Sequence, residues 1–328
     1  MYVEKMSNKY FCTLFDANYL IKGIAMVNSL QRSCPNAYIF ILCMDHFTAE
    51  HIGRLNLLNI KIIRLHEIES DELLAAKKNR GIAEYCWTLS PCLPYFIINH
   101  YKNIDAITYL DADLYFFSSL DPLFEEIKDA SIAITEHKFI PRLKQQEIMG
   151  KFCVQWVTFQ NDEQGLACLA RWRQQCIEWC YYRLEDGKMG DQKYLDEWPT
   201  LYSKCHIINH SGAGIAPWNF SNYQYSIIDN KIYVDGQPLI FYHFHQFQIF
   251  NLSHYDRLSK FYTLEMPEPN EIYNIYEAEL TNLIVKIRMI FPNFNAGFQP
   301  YLKIRLRRFI QNYFPQSLKK IIHRLIRL

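Results

Sequence analysis

Short apolar runs alternate with segments of helical spacing over the first third of the chain, and this alternation restricts the fold more than any other feature. The pattern indicates strands at 10–15, 37–43, 60–65 and 106–110, and helices between them at 19–30, 48–58, 71–78 and 85–101. Such an order is typical of a doubly wound, largely parallel α/β sheet. In these sheets ligands bind beyond the carboxyl ends of the strands.

The second half of the chain is more mixed. Strands are indicated at 131–135, 153–159, 206–208 and 239–244, and a helix at 162–181. The helix at 85–101 contains Pro91 and Pro94, so we predict a kink or a late start there. The 328 residues suffice for one large core, or for a core domain with an appendage.

Two aspartates follow the fourth predicted strand. Asp111 and Asp113 stand between the apolar strand end and the aromatic run 115–117. Residues two apart in extended backbone point to the same side, and paired carboxylates attract a hard divalent cation such as Mn²⁺ or Mg²⁺. The alternative is an ordinary surface turn, where aspartate is common. Burial between two apolar strands favours the metal site, because buried acids need a partner.

At these aspartates the chain resembles the family 8 glycosyltransferases, which include glycogenin and bacterial lipooligosaccharide galactosyltransferases. The resemblance covers roughly 10–247 and is specific at four places: the strand end 13–19 (TLFDANY), the acidic motif 109–117, the Gly190-Asp191-Gln192 segment and His243-Phe244. The resemblance implies a GT-A fold, that is, a Rossmann-like mixed sheet flanked by helices. It also implies a sugar-nucleotide donor whose diphosphate is bridged to the protein by Mn²⁺ or Mg²⁺.

The same resemblance assigns roles to individual residues. It implies donor contacts at the end of the first strand and in the acidic motif, namely at Phe15, Asp16, Asn18 and Ala112. It implies Asp111, Asp113 and His243 as metal ligands, and Asp191 and Gln192 as catalytic residues beside a sugar that reacts with retention. The family continues after the histidine with a glycine and a K-P-W segment, where this chain has Gln246 and Phe247. We therefore expect a separate bacterial branch that builds surface polysaccharides.

Three positions keep more than one interpretation. His245 lies two residues after His243, so it is a second candidate metal ligand, and the pair with the acids could instead form a hydrolytic zinc site. Arg80 could pair with the diphosphate, because a guanidinium suits phosphate oxygens; the alternative is a charge at a helix end. Asp191 could also be an ordinary helix N-cap, or a general base in an inverting enzyme.

Charge is unevenly distributed along the chain. The net charge is +1, which gives no reason to expect a nucleic-acid partner. Ten basic and no acidic residues follow Glu279, which leaves 25 basic against 34 acidic residues before that point. Apolar residues recur at helical spacing at 302–314 and 318–326, with basic residues on the other faces. Such helices lie on anionic membrane surfaces; the alternative is packing on the acidic body.

These patterns predict a domain order and a location. We expect a GT-A catalytic domain at 1–250, a connector packed on it at 251–298 and a basic amphipathic helical tail at 299–328. The N-terminal residues lack the apolar region of a secretory signal, and the cysteines lie in apolar runs typical of reduced thiols. We therefore expect a cytoplasmic protein, peripheral on the inner face of the cytoplasmic membrane through 301–328.

The predicted function is metal-dependent transfer of a sugar from a nucleotide-diphosphate donor, a UDP-sugar being favoured. The predicted acceptor is a lipid-linked or cell-surface glycan. Two alternatives are a metal-dependent phosphohydrolase of nucleotide sugars and a catalytically inactive scaffold docked on the membrane.

Overall fold

The structure, a computed structural model, describes residues 8–257, 262 and 270–300. The chain divides into two compact units, Met1–Phe244 and His245–Leu328. Among the described residues, no helix is long and apolar enough to cross a bilayer. Of the basic tail predicted at 299–328, residues 301–328 lie outside the described residues.

The first unit alternates strands with helices. Its strands are β1 (Lys9–Phe15), β2 (Ala37–Cys43), β3 (Ile60–Arg64), β4 (Ala106–Leu110), β5 (Leu114–Phe116), β6 (Ile132–Glu136), β7 (Phe152–Gln160), β8 (Cys205–Ile207), β9 (Tyr225–Ile228), β10 (Lys231–Val234), β11 (Gln237–Pro238) and β12 (Phe241–His243). Its α-helices are α1 (Leu20–Ser33), α2 (His46–Leu55), α3 (Leu65–Ile68), α4 (Asp71–Lys77), α5 (Ile82–His100), α6 (Asp121–Glu126), α7 (Glu163–Glu178) and α8 (Trp198–Leu201). Short 3₁₀ helices occupy Ala17–Tyr19, Pro141–Met149, Gln192–Glu197 and Phe220–Asn222.

The main sheet has the strand order β3-β2-β1-β4-β7-β6-β8 in the part of the chain that the structure describes. Neighbouring strands are parallel, except that β7 runs antiparallel to both β4 and β6. The register pairs Cys12 with Tyr109, so β1 and β4 end at the same edge, at Phe15 and Leu110. The predicted mixed α/β sheet flanked by helices is confirmed.

Helix α5 tests the effect of the two prolines. It begins at Ile82 and continues through Pro91 and Pro94 to His100, so the predicted late start is wrong. Each internal proline costs a helix about 3 kcal/mol. Burial of several large apolar side chains, at about 1.5–3 kcal/mol each, offsets this cost; the buried residues include Leu89, Leu93 and Ile97.

A second, two-stranded sheet extends from the carboxyl edge of the first. Strand β5 follows Asp113 and pairs antiparallel with β12, placing His243 opposite Leu114. Trp156 in β7 is fully buried and stacks on Phe241 with ring centroids 5.5 Å apart. This aromatic packing fixes the late strand β12 against the main sheet.

The second unit contains a hairpin and a long helix. Strands β13 (Gln248–Asn251) and β14 (His254–Asp256) pair antiparallel, and α9 spans Asn270–Ile290. Arg257 Nε donates to Glu277 Oε1 at 2.7 Å, and the hydroxyls of Tyr255 and Thr281 lie 2.6 Å apart. These contacts tie the hairpin to the helix. The sequence pattern predicted no helix here.

Candidate functional site

Two acidic side chains and a histidine meet at the carboxyl edge of the sheet. Asp111 follows β4, and its backbone N–H donates to the carbonyl of Gln155 at 3.1 Å. The backbone N–H of Phe244 donates to the carbonyl of Asp113 at 2.9 Å. Because β12 pairs with β5, His243 arrives beside the acidic turn although it is far away in sequence.

The distances describe a compact set of ligand atoms. His243 Nε2 lies 3.0 Å from Asp113 Oδ1 and 3.9 Å from Asp111 Oδ2. The side chains of His243 and Asp113 are almost fully buried, and about a third of the Asp111 side chain is exposed. The structure thus brings together three of the four residues that the sequence proposed as metal ligands.

A chain of hydrogen bonds orients the imidazole of His243. Thr135 Oγ1 donates to the carbonyl of Cys153 at 3.3 Å and accepts from Gln155 Nε2, also at 3.3 Å. The amide oxygen of Gln155 is therefore left to accept from His243 Nδ1 at 3.0 Å. In the metal-free protein Nε2 donates to Asp113 Oδ1 at 3.0 Å. Once that proton is lost, the imidazole is neutral with its remaining proton on Nδ1, and the Nε2 lone pair is available to a cation. Metal-binding histidines are held in this way by partners beyond the metal.

Burial and neighbouring charges shift the pKa values of Asp111 and His243. Burial raises the pKa of Asp111 to about 6, His243 opposes the rise, and the charge of Asp113 adds to it. Burial lowers the pKa of His243, but the charge of Asp113 and the hydrogen bond to it outweigh burial, so the net change is upward. A divalent cation would take the place of the proton between these groups.

The donor atoms fit such a cation. Two carboxylates and one imidazole nitrogen are ligands that Mn²⁺ accepts. Cys153 also approaches, because one ligand atom each of Asp111, Cys153 and His243 lie within 4.8 Å of one another. Burial raises the pKa of the Cys153 thiol well above its ordinary value, and the protonated thiol is a poor ligand for a hard cation.

A third carboxyl group, that of Asp191, lies near this set. Gly190 holds a left-handed backbone with φ +55° at the turn before Asp191, and Trp172 Nε1 donates to the Asp191 carbonyl at 2.9 Å. Burial raises the pKa of Asp191 to about 7, with a further rise from the charge of Asp111. Gln192 Nε2 donates to the Met149 carbonyl at 3.0 Å.

Hydrogen bonds to two aspartates, Asp16 and Asp45, hold the loop after β1. Asp16 accepts from the backbone N–H groups of Asn18 and Tyr19 at 3.0 and 3.3 Å, and from the Asn18 side-chain amide at 2.8 Å. The backbone N–H of Ala17 donates to Asp45 Oδ2 at 2.8 Å. Asn18 itself is exposed.

The two remaining residues of the predicted donor site, Phe15 and Ala112, are buried. Tyr19 is 41% exposed as a whole residue. Removal of its hydroxyl from bulk water raises the pKa of that group, and the charges of Asp113, Asp111 and Asp16 add to the rise.

The other candidate residues have local partners. Arg80 donates to Thr88 Oγ1 at 2.6 Å and to the carbonyls of Cys176 and Ile177 at 2.7 and 2.6 Å, so its guanidinium caps the carboxyl end of α7. Strand β12 ends at His243. His245 therefore lies beyond the strand, and strand alternation does not place it on the same side as His243. His245 lies in the second unit, where its Nδ1 is 2.6 Å from the Tyr262 hydroxyl.

Sequence reasoning missed two polar residues of this edge, Gln155 and Lys22. Gln155 is fully buried in β7 and Lys22 is 7% exposed in α1. The signal was present in both cases, because each stands inside an apolar run, FCVQWVTF and LIKGIAM. A polar side chain at a buried position needs a partner.

Comparison with known proteins identifies the family of this chain. The model of the family described as Glycosyl transferase family 8 matches residues 12–210, well over half of the chain. The chain belongs to glycosyltransferase family 8. As a member of the family it is a glycosyltransferase that uses a nucleotide-sugar donor.

Two proteins of Bacillus subtilis (strain 168) resemble this family 8 glycosyltransferase along nearly their whole length. The uncharacterized protein YfnD is 33% identical over 314 residues, which cover 93% of this chain and 99% of YfnD. The uncharacterized protein YfnF is 29% identical over 294 residues, covering 87% of this chain and 96% of YfnF.

Solved structures of glycosyltransferases share the fold. The galactosyltransferase LgtC, in complex with donor and acceptor sugar analogues, is 14% identical with a TM-score of 0.50, covering 84% of this chain and 95% of LgtC. The glycosyltransferase GlyE of Streptococcus pneumoniae TIGR4 is 16% identical with a TM-score of 0.50, covering 85% of this chain and 64% of GlyE. At these identities the similarity establishes the GT-A fold alone.

Proposed function

We propose that this family 8 glycosyltransferase transfers a sugar from a UDP-sugar to a lipid-linked or cell-surface glycan, in a reaction that depends on Mn²⁺ or Mg²⁺. The observation that carries the proposal is that one carboxylate oxygen each of Asp111 and Asp113 lies within 3.9 Å of His243 Nε2 at the carboxyl edge of the sheet. In α/β sheets this edge is where ligands bind.

Asp111, Asp113 and His243 would hold the cation. When bound, the cation neutralises the diphosphate and stabilises the departing nucleotide diphosphate as a Lewis acid. Gln155 keeps the imidazole oriented, because it accepts the Nδ1 proton and leaves Nε2 to the metal. We leave His245 out of the ligand set, because its Nδ1 contacts the Tyr262 hydroxyl in the second unit.

Donor binding would extend along the edge from the cation. We propose that the segment from Phe15 to Asn18 holds the nucleoside, with Ala112 beside it. For Arg80 we propose a structural role, because its two terminal nitrogens donate to Thr88 and the end of α7.

Asp191 and Gln192 would face the reacting sugar. A carboxyl group there can stabilise positive charge that develops at the anomeric carbon during retaining transfer. Burial supports a role for Asp191 beyond capping, because it raises the pKa to about 7, and such perturbed groups concentrate at functional sites.

A panel of sugar nucleotides, titrated by calorimetry with and without Mn²⁺, tests the proposal. We expect metal-dependent binding of UDP-sugars that Asp113→Ala reduces at least a hundredfold. Asp105→Ala is the matched control at the opposite, exposed end of β4, and it should leave binding unchanged. If Asp113→Ala binds as tightly as the original protein, the metal assignment fails. Release of phosphate or nucleoside monophosphate instead of free nucleotide diphosphate would favour a phosphohydrolase.

Docking on an anionic membrane through 301–328 is the second part of the proposal, supported by the basic amphipathic pattern of that segment. It would hold the enzyme on the inner face of the cytoplasmic membrane. Removal of 301–328 should abolish co-sedimentation with vesicles that contain anionic lipid while donor binding persists. Undiminished co-sedimentation of the truncated protein would refute the docking.

A further inference from the structure

One cation beside the candidate metal site, that of Lys22, has no anionic side chain bound to it among residues 8–257, 262 and 270–300. Lys22 is 7% exposed, and lysine is almost never so buried unless it is paired. Among the described residues no hydrogen bond or ion pair reaches its Nζ, which lies 4.5 Å from the centroid of the Tyr19 ring. The ring supplies a cation–π contact but accepts none of the three N–H donors in the usual sense.

The position of Lys22 in its helix adds a second cost. Helix α1 spans fourteen residues from Leu20 to Ser33, so Lys22 lies in its first turn. The amino end of a helix carries partial positive charge and favours anions over cations. A buried lysine in that turn is therefore unfavourable unless an anion binds there. The helix end and the ammonium group would act on such an anion together.

Lys22 belongs to the same edge as the metal ligands. Helix α1 packs along β5, the strand after Asp113, because the Phe116 N–H donates to Ser29 Oγ at 3.1 Å. Lys22 lies seven residues before Ser29, which is two turns and the same face of the helix. The charge of Asp113 acts on Lys22, and the charge of Lys22 acts on His243.

Charge balance identifies the missing anion. A divalent cation held by Asp111 and Asp113 cancels their two charges, and Lys22 then remains as an uncompensated positive charge in a buried place. A nucleoside diphosphate brings at least two negative charges to the same metal. Lysine binds phosphate as a compact point charge.

We propose that Lys22 binds the diphosphate of the nucleotide donor, from the first turn of α1 and beside the metal. This inference rests on the proposed function, because it assumes a diphosphate on the cation held by Asp111, Asp113 and His243. Lys22 is thus a binding residue for the donor and for the nucleotide diphosphate that is released.

The proposal predicts effects of opposite sign on the two ligands. Lys22 repels the metal ion and attracts the diphosphate. Lys22→Met removes the charge, keeps an unbranched apolar stem and leaves the helix intact. We expect it to leave Mn²⁺ affinity unchanged or higher, measured without nucleotide, and to weaken UDP binding in the presence of Mn²⁺ about ten- to a hundredfold. The affinity for UMP, which carries less charge, should fall by a smaller factor.

The full-length chain is titrated by calorimetry with Mn²⁺ alone, and with UDP and UMP at saturating Mn²⁺. Lys9→Met is the matched control, because Lys9 also lies over an aromatic ring, with Nζ 4.6 Å from the Phe124 centroid, at the start of β1 away from this edge. It should leave all three affinities unchanged. The melting temperature of Lys22→Met should equal or exceed that of the original protein, because an unpaired buried charge is removed.

Two results overturn the assignment of Lys22. One is UDP affinity in Lys22→Met equal to that of the original protein. The other is a loss of Mn²⁺ and UDP affinity by the same factor, which would indicate a structural role. Failure of the original protein to bind any nucleoside diphosphate with Mn²⁺ would instead reject the proposed function itself.

Discussion

Asp191→Asn should stabilise the metal-free protein, and more so at alkaline than at acidic pH. Asp191 is 6% exposed, and burial, with the charge of Asp111, raises its pKa from the ordinary 3.8 to about 7. Asparagine has nearly the same shape and carries no charge. The substitution therefore removes the cost of a buried carboxylate and leaves the packing in place.

The sign follows from proton binding. Between pH 4 and pH 7 the folded protein holds a proton on Asp191 that the unfolded chain has released, so the folded state binds more protons and stability falls as pH rises. The difference between about 7 and 3.8 corresponds to about 4 kcal/mol in full. Integration over the window from pH 5 to pH 8 gives a loss of about 2 to 3 kcal/mol.

Urea unfolding in the presence of a chelator measures this difference. The free energy of unfolding of Asp191→Asn, minus that of the original protein, should increase by about 2 to 3 kcal/mol from pH 5 to pH 8. Asp186→Asn is the control, because Asp186 is exposed in the preceding turn, and its difference should not change with pH. A pH-independent difference for Asp191→Asn, or a larger one at pH 5, would refute the reasoning. With metal and donor present, the same variant should lose transfer activity.

Two further predictions concern the support of the site and the packing of the sheet. Gln155→Leu removes the acceptor for His243 Nδ1 and should weaken Mn²⁺ binding about ten- to a hundredfold, measured by electron paramagnetic resonance. Gln160→Leu, at the end of the same strand, is the control and should leave Mn²⁺ affinity unchanged. Equal Mn²⁺ affinities of Gln155→Leu and the original protein would contradict the role of the amide. Gly165→Ala in α7 should destabilise the protein by more than 1 kcal/mol, because its Cβ would collide with the carbonyl oxygen of Gln160. Gly53→Ala in α2 is the control, because its Cβ would make an ordinary van der Waals contact with Ile62 Cδ1 at 3.8 Å. It should stabilise the protein by about 0.5–1 kcal/mol. Thermal unfolding compares the two variants, and shifts of the same sign would contradict the packing.

The periodic segments of the first domain were predictable from local pattern. Strands β2 and β4 have the predicted bounds, and β1 differs by one residue, because buried strands of a parallel sheet are nearly continuous apolar runs. The confirmed family and the fold followed from four short motifs. Helix α9 was not predicted, although Ile272, Tyr276 and Leu280 are buried at helical spacing, because its first half is rich in polar and aromatic residues.

Side-chain partners were not predictable in the same way. The family resemblance selected His243, but the spacing of two residues left His245 as a second candidate on the same strand. The end of β12 at His243 removes that argument for His245. Arg80 has the chemistry of a phosphate ligand, but tertiary packing places it against the carboxyl end of α7. The two interpretations of Arg80, a diphosphate ligand and a charge at a helix end, differ only in which groups contact the guanidinium. No local sequence pattern encodes those contacts.

The sequence by itself determined the alternation of strands and helices, the two aspartates after β4 and the family. These features are local, since each depends on residue spacing along one segment. Only the tertiary structure decided which distant side chains complete the edge. Pairing of β5 with β12 brings His243 to Asp113, β7 presents Gln155 to the imidazole, and the first turn of α1 adds Lys22. Those contacts join segments far apart in sequence, and they form only because burial of the shared core holds the segments together.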